Sequence, residues 1–512
     1  MPNPRRARRI PALLLAAVVT SIVALVATTL STPAVAAPHS SRVGVTHAKK
    51  QANPAHWTRA TRAKHALARA KKAFDPKTAA SERPDATLAL RTLWLLKDAL
   101  SPADRAAADK LAQRPNKPAV IGDANILMHY DPAELGYDIN TAFSQMAYVA
   151  DTYANSGYRR PKPDGSKGGD ARVDIYLDQL QPGLYGYCTT DQKQLTKPGH
   201  YDVWAYCVLD ADYAGFPTHT PLENFEVTAA HEYYHATQFA YDIADDGWFL
   251  EATATWAEDE LYTSINDNYQ YLKDSPITHP GRPIDKFGNV FHYGVWNFFR
   301  YLTEHYPAKT GALPGLLLDM WKRADSSKGP RKDMYSTQAI NKVLKKAAHT
   351  SMAEQFANYS AATRAPALTF SEGAALSYPS KPLAGQVTLA AGKRKSFRTK
   401  LDHLTSATFQ FVPGGGTSKL KVQLRMAPKK TGSRAIVALY TTSGLQFRSI
   451  KVNAHGVGKK TVTFDGTVGA VEVTLVNSSI RYRDCYQRTT KISCSGISMD
   501  DNEKARVQVK AS

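Results

Sequence analysis

The spacing of apolar residues divides the chain into regions of different character. Apolar side chains at helical spacing predict three helices near the start of the chain, at about 55–74, 85–100 and 102–113. Alternation of apolar and polar residues predicts strands at about 124–130, 171–177 and 203–209, with a helix at 138–154. A helical pattern then predominates, with predicted helices at about 222–241, 248–262, 290–306, 312–324, 335–348 and 351–362.

The last part of the chain, residues 371–512, has a pattern typical of β structure. Short runs of alternating residues are separated by glycine-rich turns, which favours a β-sandwich. The predicted strands lie at about 406–412, 420–425, 435–440, 460–464 and 470–476. The whole chain is therefore expected to have an α+β fold, with a mixed sheet and helices followed by an all-β sandwich.

The first 36 residues have the features of a secretory signal peptide. Four arginines precede an apolar run at 12–30, and small residues follow at Ala34 and Ala36. An uncleaved membrane anchor is the alternative, because the run is close to the length that spans a bilayer. We expect cleavage and a secreted, extracellular protein, without membrane contact after the signal is removed.

Charge is distributed unevenly along the chain. The formal net charge is +20, and by region it is roughly +15 for residues 1–118, −10 for 119–370 and +15 for 371–512. Residues 37–118 are predicted to be a basic helical pro-segment against the acidic middle, and cleavage near Arg114 to Ala119 would support this interpretation. An integral helical subdomain is the alternative. The basic region 371–512 is predicted to be an accessory domain that could bind an anionic cell-wall polymer; its scattered aromatic residues do not favour nucleic acid.

The four cysteines form two local pairs, Cys188 with Cys207 and Cys485 with Cys494. In an oxidising compartment this spacing predicts two structural disulfides. The first is expected to join the strand at 203–209 to the loop before it. The spacing does not match a cysteine zinc site.

The segment with the clearest chemical signature is His231-Glu232-Tyr233-Tyr234-His235, in a helical context. Residues four apart lie on one helix face, so His231 and His235 can converge on one ion. A catalytic zinc needs a third protein ligand. Glu251 follows a predicted turn at 245–247 and could return opposite the histidines on a second helix. The competing carboxylates are Glu258, Asp259 and Glu260.

This combination resembles the gluzincin zinc metallopeptidases, which pair HExxH with a glutamate on a following helix. The phrase around Trp248 and Glu251 is similar to the context of their third ligand. The resemblance implies a zincin-like domain over residues 119–370, with His231, His235 and Glu251 as zinc ligands and Glu232 as the general base. The chain lacks a Gly-x-Met-x-Asn-type segment for a free amino terminus, so an endopeptidase is favoured over an aminopeptidase. Where thermolysin-like enzymes carry an aspartate four residues after this ligand, the chain has Thr255, and Glu258 is the nearest candidate to support a histidine ligand.

A mechanism follows from the resemblance: a zinc-activated water, with Glu232 as general base, attacks a peptide carbonyl. Tyr293 is predicted to stabilise the developing oxyanion, with His292 as its substitute. The strand at 204–210 occupies the place of a substrate-binding edge strand, and an interior strand is the alternative.

Other expectations concern ions, partners and rival functions. The carboxylate oxygens of four aspartates could bind Ca²⁺, although their spacing matches no calcium loop: Asp170, Asp174, Asp210 and Asp212.

Protein or peptide is the expected substrate, and we expect a monomer. The rival function from another class is a non-catalytic secreted binding or adhesion protein that contains a structural metal, although Glu232 has no obvious use in such a site.

Overall fold

The protein is described here from a computed structural model, which covers residues 57–512. The predicted signal peptide, residues 1–36, and the start of the predicted pro-segment, residues 37–56, lie outside the described residues. Within the described residues the fold is α+β, as the sequence predicts. Helices and one mixed sheet form the part up to residue 370, and a β-rich region follows.

The predicted helices are confirmed to within a few residues. Their ends follow local chemistry: Ser101 accepts a hydrogen bond from the backbone N–H of Asp104, and Pro102 occupies the first turn. The helices are α1 Arg59–Ala73, α2 Ala86–Leu96, α3 Pro102–Leu111, α4 Ile139–Asn155, α5 Pro221–Asp242, α6 Gly247–Leu261, α7 Trp296–His305, α8 Gly315–Trp321, α9 Ser336–Ala347, α10 Met352–Ala362 and α11 Pro366–Thr369.

The strands include every predicted one and several others that the pattern does not show. In chain order they are β1 Ala119–Gly122, β2 Ile126–Tyr130, β3 Val173–Asp178, β4 Gly186–Thr189, β5 Tyr206–Asp210, β6 Lys309–Thr310, β7 Leu313–Pro314, β8 Gly385–Leu389, β9 Arg394–Leu401, β10 Thr405–Pro413, β11 Lys419–Arg425, β12 Ser433–Thr441, β13 Gly444–Ser449, β14 Val457–Thr463, β15 Val468–Asn477, β16 Tyr482–Arg483, β17 Ile497–Ser498 and β18 Glu503–Ala511.

The mixed sheet has the strand order β1-β2-β3-β5-β4. Strands β2, β3 and β5 run parallel, and β4 pairs antiparallel with β5 at one edge. The prediction that residues 204–210 form the edge strand is therefore wrong. The interior alternative is confirmed, because the four-residue strand β4 pairs with the outer side of β5.

Both predicted disulfides are present. Cys188 on β4 lies directly opposite Cys207 on β5 in the strand register. The expected link between a strand and a loop is thus corrected: this bridge joins two paired strands. Closing a loop of this length stabilises a fold by about 3 kcal/mol in the chain-entropy model.

Helix α5 passes through the middle of the main apolar core. Every residue from Val227 to Asp242 is buried on this helix. Its start is fixed by a capping box between Thr220 and Glu223, with Pro221 in the first turn. The hydroxyl of Tyr153 on α4 donates a hydrogen bond to the carbonyl of Ala230, at 2.8 Å. Such a helix is held from all sides, so side chains on it have fixed positions.

The amino-terminal helices α1, α2 and α3 share a smaller apolar core with the mixed sheet. Leu67, Leu90 and Leu93 belong to this cluster together with Tyr187 on β4 and Tyr206 on β5. The linker after α3 is held by ion pairs: Arg114 contacts Asp164, Asp174 and Asp191, and Lys117 contacts Glu134 and Asp178. The helices of this segment therefore pack on an apolar surface of the sheet, and the linker residues Arg114 and Lys117 pair with acidic side chains.

The carboxy-terminal region contains two sheets that share one apolar core. Their strand orders are β13-β12-β15-β10-β8 and β14-β11-β18-β9. Alternate residues from both sheets, such as Phe409, Val437, Val473, Leu424 and Val507, are buried in this core. This sandwich-like arrangement follows from the period-2 pattern of the sequence.

A loop of the β-rich region contacts the start of α6. The backbone N–H of Cys494 donates to the carboxylate of Asp246, at 2.7 Å, and the indole of Trp248 donates to the hydroxyl of Ser493, at 3.2 Å. The disulfide to Cys485 closes this loop. The amino-terminal turn of α6 is thus held by residues almost 250 positions later.

Among residues 57–512, the helices are all too short or too polar to cross a lipid bilayer.

Candidate metal centre

Helices α5 and α6 place three candidate ligands together. The turn at 243–246 reverses the chain, and Asp246 precedes the first residue of α6. His231 and His235 project from one face of α5, and Glu251 projects towards them from the second turn of α6. Their donor atoms all lie within 4.8 Å of one another. The two helices therefore bring together the three side chains that the sequence predicts.

The three donor atoms face one another at short range. The Nε2 atoms of the two histidines are 3.0 Å apart. Glu251 approaches His231 Nε2 with Oε2 at 3.2 Å and His235 Nε2 with Oε1 at 3.4 Å. Glu251 and His235 are fully buried. Glu251 Oε1 has no hydrogen-bond partner in the described part of the chain.

These separations fit a divalent zinc ion. Ligand atoms at about 2.1 Å from zinc in a tetrahedral arrangement are about 3.4 Å from each other. The observed distances of 3.0, 3.2 and 3.4 Å are close to that value. Two imidazoles and one carboxylate are also a donor set that zinc prefers when it keeps one position open.

The other ring nitrogen of each histidine is held by an acceptor. His231 Nδ1 lies 2.5 Å from Glu258 Oε1, and His235 Nδ1 lies 2.7 Å from Gln238 Oε1. A proton on each Nδ1 leaves the Nε2 lone pairs directed at the centre of the cluster. Glu258 thus occupies the supporting position that the sequence analysis assigns to it.

The ionisation of the cluster reflects burial and mutual attraction. Burial opposes charge on both histidines, yet contacts with Glu251 raise the pKa of His231 and of His235, and the contact with Glu258 adds to the effect on His231. Burial would raise the pKa of Glu251, but the neighbouring charge of His235 and close contacts with both histidines hold it well below its usual range. The pair of histidines and the carboxylate are therefore strongly complementary in charge.

A Glu258→Gln variant is expected to bind zinc about 10- to 100-fold more weakly than the wild type. The amide keeps an oxygen near His231 Nδ1 but loses the charge that makes the imidazole a better ligand. Competition with a chromogenic chelator would measure the affinity. Glu260→Gln on the same helix is the matched control, because Glu260 pairs with Arg300 at 3.2 Å. Equal zinc affinities in both variants would contradict the supporting role of Glu258.

The remaining carboxylates considered as third ligand are used elsewhere. Asp259 lies 3.0 Å from Arg300, as part of the same ion-pair group as Glu260. Both point away from the histidines to the helix α7, which carries Arg300. Of the four candidates on α6, only Glu251 belongs to the three-residue cluster.

Glu232 lies on α5 beside the cluster and is not one of its members. Burial raises the pKa of Glu232 to about 7, while the charges of His235 and His231 act in the opposite direction. Strand β4 passes close to it: a Cβ on Gly186 would lie 3.1 Å from Glu232 Cγ. A buried carboxyl beside the three candidate ligands, with a pKa near neutrality, makes Glu232 a candidate general base.

His292 and Tyr293 lie just before α7. Tyr293 is the first residue of a short 3-10 helix, and His292 precedes it. The Tyr293 ring is 6.0 Å from the His231 ring, and its hydroxyl donates a hydrogen bond to the carboxylate of Asp85. His292 is buried against Phe287, and burial lowers its pKa to about 4. Of these two residues, Tyr293 is the one linked to the surroundings of the cluster, by its ring contact with His231 and its hydrogen bond to Asp85.

Helix α2 of the amino-terminal segment enters this site. Besides the contact of Asp85, the hydroxyl of Thr87 donates to Glu232 Oε2 at 3.4 Å and accepts from the backbone N–H of Cys188 at 3.0 Å. Burial first and the charge of Glu251 second raise the pKa of Asp85 to about 6. One turn of α2 therefore contacts both predicted catalytic residues and the free side of the edge strand β4.

The four aspartates proposed for calcium do not form one group. Asp174 is bound by Arg114 and His129, and Asp170 by Arg172. Asp212 accepts a hydrogen bond from Gln179. In residues 57–512, the cluster of His231, His235 and Glu251 is the only set of three or more His, Cys, Asp or Glu donors within ligand distance.

The sequence did not point to four residues of this site: Gln238, Gly186, Asp85 and Thr87. Gln238 lies three positions after His235, on the same face of α5, so helix periodicity could have indicated it. Gly186 is part of a strand of only four residues, too short for a clear alternating pattern. Asp85 and Thr87 carry no local signal, because their contacts span 208 and 145 positions.

Comparisons with known proteins give little help. No protein-family model matches the chain, and no curated protein matches it. Among solved structures, the chain is similar to the pre-peptidase C-terminal domain of a collagenase from Bacillus anthracis, at 7% identity over 26% of this chain and all of that one, with a TM-score of 0.16. It is also similar to PliG, a periplasmic inhibitor of g-type lysozyme from Aeromonas hydrophila, at 8% identity over 25% of this chain and all of that one, with a TM-score of 0.15. Scores of this size support no conclusion on fold or function.

Proposed function

We propose that the protein is a secreted, zinc-dependent endopeptidase of the gluzincin type, with a zincin-like region over residues 119–370. The observation that carries the proposal is the convergence of His231, His235 and Glu251 within 4.8 Å, with Glu232 beside them. Two disulfides, typical of oxidising compartments, are consistent with secretion.

The chain's own residues would each take a defined part in peptide hydrolysis. When bound, a zinc ion supplies Lewis acidity that polarises a carbonyl and activates water. Glu232 accepts the proton of the attacking water and passes it to the leaving amine. Once the Tyr293 hydroxyl no longer bonds to Asp85, this hydroxyl donates to the oxygen of the scissile carbonyl. The edge strand β4 can pair with an extended substrate, because it has no partner strand on its outer side.

The two rival functions differ in one observable each. An aminopeptidase would not cleave a peptide whose amino terminus is blocked, whereas an endopeptidase would cleave it internally. A non-catalytic binding protein would hold zinc without cleaving any peptide. Glu232 argues against the latter, because a buried carboxyl next to the cluster costs stability and serves no purpose in a purely structural site.

The amino-terminal segment is proposed to be an inhibitory pro-segment. Its contacts with Glu232, Tyr293 and the Cys188 N–H use groups that the substrate needs. Helix α2 is further anchored by the Trp94 indole, which donates to the carbonyl of Gln192 at 2.6 Å. The alternative, a permanent helical subdomain, would leave Asp85 and Thr87 as fixed parts of an active site.

The test of the proposed function is cleavage of an amino-blocked, internally quenched peptide by the full chain after the segment is released. Zinc-dependent cleavage at an internal bond, lost on addition of a chelator and restored by zinc, would support it. Absence of cleavage by released, zinc-loaded protein on a broad peptide library would contradict it.

A further inference from the structure

One face of the carboxy-terminal region carries positive charge only. In the sheet β14-β11-β18-β9, alternate residues such as Leu420, Val422 and Leu424 point into the core, and the residues between them point outwards. We call the outward cations the basic face. Its members are Arg394, Arg398, Lys400, Lys419, Lys421, Arg425, Lys459, Lys504, Arg506 and Lys510.

The outward positions of these four strands contain no acidic residue. The residues that share the face with the cations are serine, threonine, glutamine and valine: Ser396, Gln423, Val457, Thr461, Thr463 and Gln508. Throughout the described part of the chain, none of the ten cations takes part in an ion pair. Arg506 bonds instead to the hydroxyl of Ser396, at 2.7 Å, and to the amide oxygen of Gln508, at 2.9 Å.

The cations stand directly opposite one another across the strands. Lys421 pairs in register with Lys510, and Lys510 pairs with Arg394. A second row is formed by Arg425, Arg506 and Arg398, and Lys504 lies opposite Lys400. Like charges in directly opposed positions destabilise a sheet. Exposure to solvent gives no reason for such rows of like charge, whereas an anionic partner would neutralise their charge.

The chemistry of the face favours one type of partner. Within a row, cations on neighbouring strands are about 4.8 Å apart, and successive outward positions along a strand are about 6.8 Å apart. The Lys421 row and the Arg425 row are separated by one uncharged row of Ser396, Gln508 and Gln423, so the cations occupy most positions of a regular grid. The large exposed apolar residues of the protein, such as Phe447 and Tyr486, lie outside this face. Insertion into a membrane requires large exposed apolar side chains and stacking of nucleic-acid bases requires aromatic ones. The face has neither, since its one apolar residue is the half-buried Val457.

We propose that the basic face binds a linear polyphosphodiester without bases, the chemistry of a phosphate-bearing wall polymer. Each phosphate would meet a lysine or arginine of the grid, and binding would release counterions. The proposal does not depend on the metal centre. Binding through the basic face would hold the protein on an anionic polymer while the proposed peptidase site remains free.

The test uses the full chain and purified poly(glycerol phosphate), with affinity measured over a range of salt concentrations. The row variant Lys421→Gln/Lys510→Gln/Arg394→Gln removes three opposed charges. Its matched control is Lys342→Gln/Lys345→Gln/Lys346→Gln, which removes three exposed lysines from α9. At about 0.1 M salt the row variant is expected to bind at least about tenfold more weakly, with a salt slope reduced by about 2. The control is expected to stay within about twofold of the wild type.

A second measurement, thermal unfolding, shows whether the row variant is folded. Because the row variant loses repulsion between like charges, its midpoint of thermal unfolding is expected to equal or exceed that of the wild type. Equal weakening in the row variant and in the control would overturn the proposal, since only net charge would then matter. Tighter binding to single-stranded DNA or to vesicles of anionic lipid than to the polymer would also overturn it.

Discussion

A Glu232→Gln variant is expected to keep its zinc and to lose about 10³-fold in kcat. A positioned general base contributes about 10²- to 10⁴-fold, and the amide cannot accept the proton of the attacking water. Zinc should remain, because Glu232 is outside the cluster of His231, His235 and Glu251. Hydrolysis of the quenched peptide by the released protein, together with zinc content, would measure both quantities.

The matched control for this prediction is Glu226→Gln, six residues earlier on α5. Glu226 is half-buried and lies five residues before His231, outside the cluster. The kcat of the Glu226→Gln variant should therefore stay within about twofold of the wild type. If the Glu232→Gln variant retained more than about a third of the wild-type kcat, Glu232 would not be the general base. If it lost zinc, its effect would have to be assigned to metal binding.

Release of the amino-terminal segment, by a cut after Gln113, is expected to raise peptidase activity about 100-fold or more. A covered site that opens in only about 1% of molecules reduces the apparent activity by that factor. A protease has poor access to the basic residues of the natural linker, because the side chains of Arg114 and Lys117 are 11% and 5% exposed and are held in ion pairs. A recognition sequence for a site-specific protease, inserted after the exposed Gln113, avoids both.

The control for segment release is a second insertion in the exposed stretch 75–82, before α2. Cleavage there leaves α2 and α3 attached, so Asp85 and Thr87 stay in place and activity should remain low. Full activity of the uncut chain would contradict inhibition and favour a permanent subdomain. An Asp85→Asn/Thr87→Ala variant should show intermediate activity without any cleavage, since two of the contacts that cover the site are then weakened.

The sequence predicts those parts of this protein that depend on local pattern. Helical periodicity and end signals locate α3 and α5, because Ser101 and Thr220 act within a few residues of their positions. The HExxH spacing places His231 and His235 on one face for the same reason. The turn before α6 is short, so the return of Glu251 towards the histidines could also be anticipated.

Features that depend on distant partners could not be anticipated in the same way. The edge of the mixed sheet is β4, whose four residues give too little alternation to distinguish a strand from a loop. Asp85 reaches Tyr293 across 208 positions, and the Cys494 loop reaches Asp246 across 248. No local signal encodes such contacts; they follow from how separate elements pack. The basic face likewise emerges only when the register aligns β9, β11 and β18.

The zinc-to-protein ratio tests most directly whether His231, His235 and Glu251 form a zinc site. It is measured by elemental analysis after dialysis, in the wild type, in Glu251→Gln and in Glu226→Gln. We expect about one zinc per chain in the wild type and in Glu226→Gln, and a large loss in Glu251→Gln, because three ligands are needed for tight binding. Equal zinc in all three proteins, or none in the wild type, would contradict this assignment of the ligands.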